Sequence, residues 1–264
     1  MNRDRTAAAS IQRDDATPRT LADALATELR SAILRGDVAP GSKLRLGDLR
    51  TRFGVSLSPL REALSRLAAE HVITAESQRG YRVPEVSLEG LAEVNKVRCH
   101  IEPFALAESI RRGGDDWEER LVAVFHRLTK FERANARTTR VEDWEAAHRD
   151  FHGGLIGACG MPLLLQFCGV LYDLSDRYRR LFLAKYPLDR DIHAEHQAIL
   201  NAALARDAAK ASVLLRQHVE RTGSNILQVM ERDARKPANG KRRPTLDRRR
   251  PARAAARTPS RAES

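Results

Sequence analysis

The chain is poor in the features that would place it among disulfide-stapled, membrane or enzyme classes. It holds three cysteines, Cys99, Cys159 and Cys168. An odd count with no CxxC pair excludes a disulfide framework and a zinc ribbon, and leaves buried thiols. No apolar run approaches the roughly 20 residues that cross a bilayer, and the opening MNRDRTAAASIQRDD lacks the apolar segment of a secretory signal. A cytoplasmic protein with no membrane partner is expected. A glycine-rich phosphate loop, a GxSxG elbow, an HExxH pair and a DxDxDG loop are all missing, so the usual signatures of an enzyme are absent.

What is present in excess is positive charge. The net charge is +11, which by itself suggests nucleic acid. Its distribution weakens that inference. Between Arg235 and Ser264 eleven Arg or Lys stand against Asp247 and Glu263, so this segment carries +9 and everything before it only +2. Sequence-selective DNA binding must therefore rest on a motif. The tail alone supports a different reading, a non-specific nucleic-acid binder held by counterion release.

The motif lies between Phe53 and Ala69. Gly54 suits a turn, Ser58 can cap exposed amides, and Pro59 fits a first helical turn where its missing N–H is no loss. From Leu60 onward Leu60, Ala63, Leu64, Leu67 and Ala68 share one arc, with Arg61, Glu62, Ser65, Arg66 and Ala69 on the other. One face packs and the other can read DNA. Upstream, Thr20 and Asp23 resemble a capping pair before Leu21, Leu25, Leu29 and Ile33, and Gly36 ends that helix. GDVAPGSKL reads as a linker, and Leu46 to Phe53 as a short helix. After His71 the pattern turns to two short β-prone segments around Gln78, Arg79 and Gly80, a hairpin wing whose Arg79 can approach phosphates or the minor groove.

From Ser87 to about Arg232 the pattern is helical throughout, with helices expected over 87–112, 116–136, 142–159, 162–185, 189–205 and 207–232. Short connections favour an antiparallel bundle with a central cavity. The organisation is thus mainly α: a disordered arm over 1–19, a winged helix-turn-helix domain over 20–86, an all-helical domain over 87–233 and a disordered basic tail over 234–264.

Four histidines share faces with apolar residues. His148 and His152 are four apart beside Leu155 and Cys159; His196 lies with Ile192, Ile199 and Ala203; His218 lies with Ala211, Leu214 and Leu215. Each alone could be a hydrogen-bonded core residue, whereas four together suit a divalent ion such as zinc or nickel. Were one coordination position open to water, such a site could serve a metal-dependent hydrolase. His100, His126 and His193 read as surface or packing residues. Arg98 and Glu102, four apart, are either an ordinary helical ion pair or an arginine that faces the cavity and clamps a carboxylate ligand. On YDLSDRYRRLF, Tyr172 and Arg177 are the residues to test for ligand binding.

The order of these parts resembles the GntR family of bacterial transcription regulators, in the FadR branch with an FCD effector domain. The resemblance rests on GVSLSPLREALSRL and RGYRV in the first half, and on VRCHIEPFALAE, HRDFHGGLIGACG, AEHQAIL and HVERT in the second. LYDLSDRYRR adds a likeness to the glutarate-responsive carbon-starvation branch. Such a resemblance implies a homodimer on a short palindromic operator, usually as repressor of a catabolic operon, released or tightened by a small organic acid. It places Ser56, Ser58 and Arg61 at DNA-contacting positions, with Gly80 in the wing and Arg45 near the second helix. Leu57 stands where many members carry Arg. The family's metal set is Asp, then His four residues on, then two further His; here His148 occupies the Asp position, followed by His152, His196 and His218. By position alone, helices 87–112 and 207–232 would couple the two domains.

Overall fold

A computed structural model describes residues 20–76, 80–133, 141–182 and 191–235. The first unit is built from α1 (Leu21–Leu34), β1 (Lys43–Leu44), α2 (Leu46–Phe53), α3 (Leu57–Ala69), β2 (Thr74–Glu76) and β3 (Gly80–Arg82). Thr20 and Asp23 form a reciprocal capping box at the head of α1: the Thr20 hydroxyl accepts from the Asp23 N–H at 3.1 Å, and the Asp23 carboxylate accepts from the Thr20 N–H at 2.9 Å. Gly54 closes α2 at φ 65°, a left-handed backbone that glycine adopts without a Cβ clash.

The reading helix begins earlier than its proline suggests. α3 starts at Leu57 with Ser56 at the N-cap, so Ser58 sits in the first turn and caps nothing. Proline fits any position of a first turn, because none of those amides has an intrahelical partner, and so it does not fix the first residue. Leu60, Ala63, Leu64 and Leu67 are completely buried against Leu29, Ile33, Ile73 and Val83. Each buried leucine contributes roughly 1.5–3 kcal/mol. Leu21, the first residue of the apolar series on α1, is instead 56% exposed.

The wing is a three-stranded antiparallel sheet in the order β1-β3-β2, with Thr74 opposite Arg82 and Glu76 opposite Gly80. β1 comes from the segment read as linker, Lys43 pairing with Arg82 and Leu44 with Tyr81. A two-residue strand is too short to show any period. Tyr81 Oη lies 3.3 Å from Ser65 Oγ, joining wing and reading helix.

The second unit contains, among the described residues, α4 (Leu88–Arg112), α5 (Asp115–Arg133), α6 (Val141–Ile156), α7 (Pro162–Phe182), α8 (Ile192–Leu204) and α9 (Ala208–Arg235). No helix in the described residues is long and apolar enough to cross a membrane. Leu106, Leu121, Leu128, Phe151, Leu155 and Ile199 form the centre of its core. The three cysteines are free and buried, and burial pushes the Cys99 and Cys168 thiols up to about 11 and about 12, which keeps both protonated and unreactive.

α7 is the helix of the bundle that lies against the first unit. Leu181 reaches Gly36, where a Cβ would come within 2.9 Å of its Cδ2. Gly36 also takes φ 80°, so the approach needs glycine on two counts.

Candidate metal centre and DNA-reading face

Three helices bring the four histidines to one point. α6 contributes His148 and His152, α8 His196 and α9 His218, all buried. A donor nitrogen from each lies within 4.8 Å of the others, near enough for the four to hold one ion between them. Neighbouring ring centroids are 4.5 Å apart for His148 and His152 and 4.7 Å for His196 and His218.

A second ring of groups orients the imidazoles. Nδ1 of His196 lies 2.7 Å from Glu132 Oε1, Nδ1 of His218 lies 2.9 Å from Glu195 Oε2, and Nδ1 of His148 shares a 2.5 Å hydrogen bond with the Tyr172 hydroxyl. With Nδ1–H donated to a carboxylate, the lone pair resides on Nε2. Nε2 of His152 and of His196 are buried and have no hydrogen-bond partner among the described residues. Burial, followed by the neighbouring imidazoles, holds His148 and His152 well below their ordinary value. His148 and His152 are therefore held as neutral imidazoles, the state that ligates a metal. Trp144 stacks on His148, centroids 4.6 Å apart at 17°.

Glu132 and Glu195 are invisible to a reading of apolar periodicity. Glu132 lies 64 residues from the histidine it supports. Glu195 precedes His196 yet serves His218 on the next helix. Glu132 also holds His193 Nδ1 at 2.8 Å, and that ring stacks on Phe125, so His193 packs beside the site. His100 and His126 are exposed.

The expected ligand-binding residues separate. Arg98 is 2% exposed. Its Nε and Nη2 meet Glu102 at 2.5 and 3.2 Å, and its Nη1 donates to Ser175 Oγ at 2.7 Å. The helical ion pair with Glu102 is thus formed, and it is buried. Tyr172 stands beside it, its ring 5.6 Å from the Arg98 guanidinium carbon. Arg177 points elsewhere: its guanidinium donates to the Pro84 carbonyl, at the end of the first unit. Arg179 and Arg149 also face the Tyr172 ring, each at 4.9 Å, and Arg179 pairs with Glu145 at 2.8 Å. Its Nε is buried without a hydrogen-bond partner. The reason is angular. Arg179 is seven residues from Tyr172 and returns to within about 20° of it, whereas Arg177 falls about 140° away.

On the first unit, Ser56, Leu57, Ser58 and Arg61 are exposed along the start of α3, and Arg45 is exposed at the N-cap of α2. Arg66, further along α3, is bound to Asp23 and Glu62. Arg45, Arg50 and Arg61 form no ion pair among the described residues, which leaves their guanidinium groups for phosphate or base edges. Gly80 opens β3 at φ 92°. Arg79 lies outside the described residues.

The comparisons agree with this division of labour. The profile for bacterial regulatory proteins of the gntR family matches residues 21–83, and the FCD domain profile matches residues 93–221. The HTH-type transcriptional repressor GlaR of Escherichia coli K12 is 39% identical over 195 residues, 72% of this chain and 89% of the relative. BphR of Paraburkholderia xenovorans LB400, an HTH-type transcriptional regulator, is 38% identical over 215 residues, 81% and 88% of the two chains. Among solved structures, E. coli McbR/YncC shares the fold with TM-score 0.66 at 20% identity, over 79% of this chain and 98% of that one. These relatives are regulators, which sets the hydrolase reading aside. A winged helix-turn-helix joined to an all-helical effector domain, matched by both profiles and by GlaR along most of its length, makes this chain a GntR family transcription regulator of the FadR-like subfamily with an FCD domain.

Proposed function

We propose that the protein is a homodimeric repressor of a catabolic operon, whose affinity for a palindromic operator is set by a small carboxylate bound beside a metal in the four-histidine site. The observation that carries this is the gathering of four buried imidazoles, with His148, His196 and His218 anchored through Nδ1, while Nε2 of His152 and of His196 has no hydrogen-bond partner among the described residues. Four nitrogen donors favour zinc or nickel over harder, oxygen-seeking ions. When bound, the ion would supply a Lewis-acidic position for one carboxylate oxygen. The chain supplies the rest: Arg98 and Arg179 flank the Tyr172 ring and offer guanidinium donors to an acid, in place of the Arg177 expected from sequence. The effector must bind the DNA-competent and incompetent arrangements unequally to switch anything. Repression is favoured by the likeness to GlaR, itself a repressor by name.

Elemental analysis of the protein purified without chelator tests the site, with about one zinc or nickel per chain expected. His152→Ala and His196→Ala should lose it. Wild-type protein that is metal-free and takes up neither ion would reject the centre. Operator release by a panel of dicarboxylates and hydroxyacids, lost in Arg179→Gln, tests the ligand class.

A further inference from the structure

α7 has two working faces. Tyr172, Ser175 and Arg179 face the interior beside the histidine cluster, with Tyr172 on His148 and with Arg98 and Arg179 on Ser175. Asp173, Arg177 and Leu181 face the first unit, meeting Arg30, the Pro84 carbonyl and Gly36. Next to Asp173, an open cleft of about 610 Å³ lies between the units, lined by Arg30, Leu34 and Glu70 on one side and by α6 and α7 on the other. The two units thus meet at this edge through polar contacts beside an open cleft, the kind of joint in which relative motion is ordinary.

Asp173 is placed at the centre of that joint. One carboxylate oxygen accepts from Arg30 of α1 at 2.8 Å, and the other pairs with Arg149 of α6. Arg30 also binds Glu70, the C-cap residue of the reading helix. Arg149 follows His148 in sequence and sits over the Tyr172 ring at 4.9 Å. An unbroken set of contacts therefore runs from His148 through Tyr172, Arg149, Asp173 and Arg30 to Glu70. The acid is 15% exposed at its side chain, so its two pairs are less screened than surface pairs.

We propose that Asp173 is a positioning residue that sets the reading helix against the helical domain according to the state of the histidine site, with Arg30 as its counterpart in the DNA-binding unit. This rests on the metal-site reading above. Position in the chain points to α4 and α9 as couplers, whereas the contacts point to α7. An ion in the site fixes the His148 ring, and with it the phenol on which Arg149 rests. If Arg149 then shares Asp173 differently, Arg30 and the C-terminal end of α3 follow. The coupling is reciprocal: DNA on the reading helix must alter zinc affinity by the same factor as zinc alters DNA affinity.

The test uses the full chain, zinc chloride and a duplex that the wild type selects from a random pool. Trp144, stacked on His148, reports zinc binding by its emission. In wild type, saturating duplex is expected to change the zinc dissociation constant by about 5-fold or more, within the usual range of allosteric coupling. Asp173→Asn and Arg30→Gln should each bring that ratio close to one, the double variant should change it no further, and Asp173→Glu should restore it. Retention of the wild-type ratio in both single variants overturns the proposal, as does a wild-type ratio of one. Wild type that binds no zinc at all rejects the metal centre itself, a different result from zinc binding that ignores DNA. Loss of fold in Asp173→Asn, seen by circular dichroism, leaves Arg30→Gln in the other unit to decide the matter.

Discussion

The Tyr172 hydroxyl lies 2.5 Å from Nδ1 of His148, one of the four clustered histidines. A tyrosine in a place commonly taken by a carboxylate or carbonyl ties the ligand ring to α7 through a neutral group. Burial raises its phenol above the ordinary range, so it remains protonated. Tyr172→Phe keeps the ring and removes only the oxygen. Zinc affinity should fall by about 10–100-fold, the usual loss when an outer partner of a ligand is removed. Glu132→Gln should fall in the same range, through His196. Competition with a chromophoric chelator measures both, and unchanged affinity in the pair would show that these groups do not orient the imidazoles.

Arg61 is exposed on α3 and forms no ion pair among the described residues. Arg61→Ala should weaken binding to the selected duplex by about 1–3 kcal/mol, or roughly 5–150-fold, while melting temperature stays within a few degrees. Footprinting that shows full protection at wild-type concentrations would remove Arg61 from the contact set.

Leu64 lies one turn further along the same helix and is completely buried. Leu64→Ala should cost about 2–5 kcal/mol of stability through lost burial and a cavity. The loss should appear in chemical denaturation of the first unit, with zinc affinity of the helical domain retained. A change below 1 kcal/mol would contradict the packing of the reading helix.

Metal-free protein should lose stability on acidification. His148 and His152 are held well below 6.5 by burial and by neighbouring imidazoles. A folded value below the unfolded one means that the unfolded chain binds the extra protons. The stabilisation is present above about pH 6.5 and declines as pH falls toward the folded values, by up to about 1.4 kcal/mol per pH unit for each ring. Glu145, raised to about 7 because burial outweighs the pull of Arg179, acts in the opposite sense, with stability falling as pH rises from its ordinary value through 7. Two rings outweigh one carboxyl below pH 6.5. Thermal melts of chelator-treated protein between pH 7.5 and 5 should show a falling midpoint, and a rising one would contradict neutral histidines in the fold.

Much of the first unit was legible because its helices carry both period and punctuation. The capping pair Thr20–Asp23, the turn glycine Gly54 and the stripe Leu60, Ala63, Leu64, Leu67 each encode a local event, and local events are written in adjacent residues. The four histidines were legible for the same reason: their helical phase matched the apolar stripe. What escaped was set by tertiary geometry. β1 exists because Lys43 and Leu44 find β3, some 38 residues onward in the paired register. Glu132 is recruited by a helix far along the chain. Arg179 stood in plain sight seven residues after Tyr172, and counting helical phase around YDLSDRYRR would have preferred it to Arg177.

The hydrogen bond between Ser65 and Tyr81 has a consequence for the operator. It joins α3 to the middle of the wing sheet, over a shared apolar core. Helix and wing are therefore joined as the two jaws of one caliper. In the homodimer proposed above, a ligand would then act through the separation and tilt of two such calipers, and operators that differ in the spacing of their half-sites should differ in their response to it.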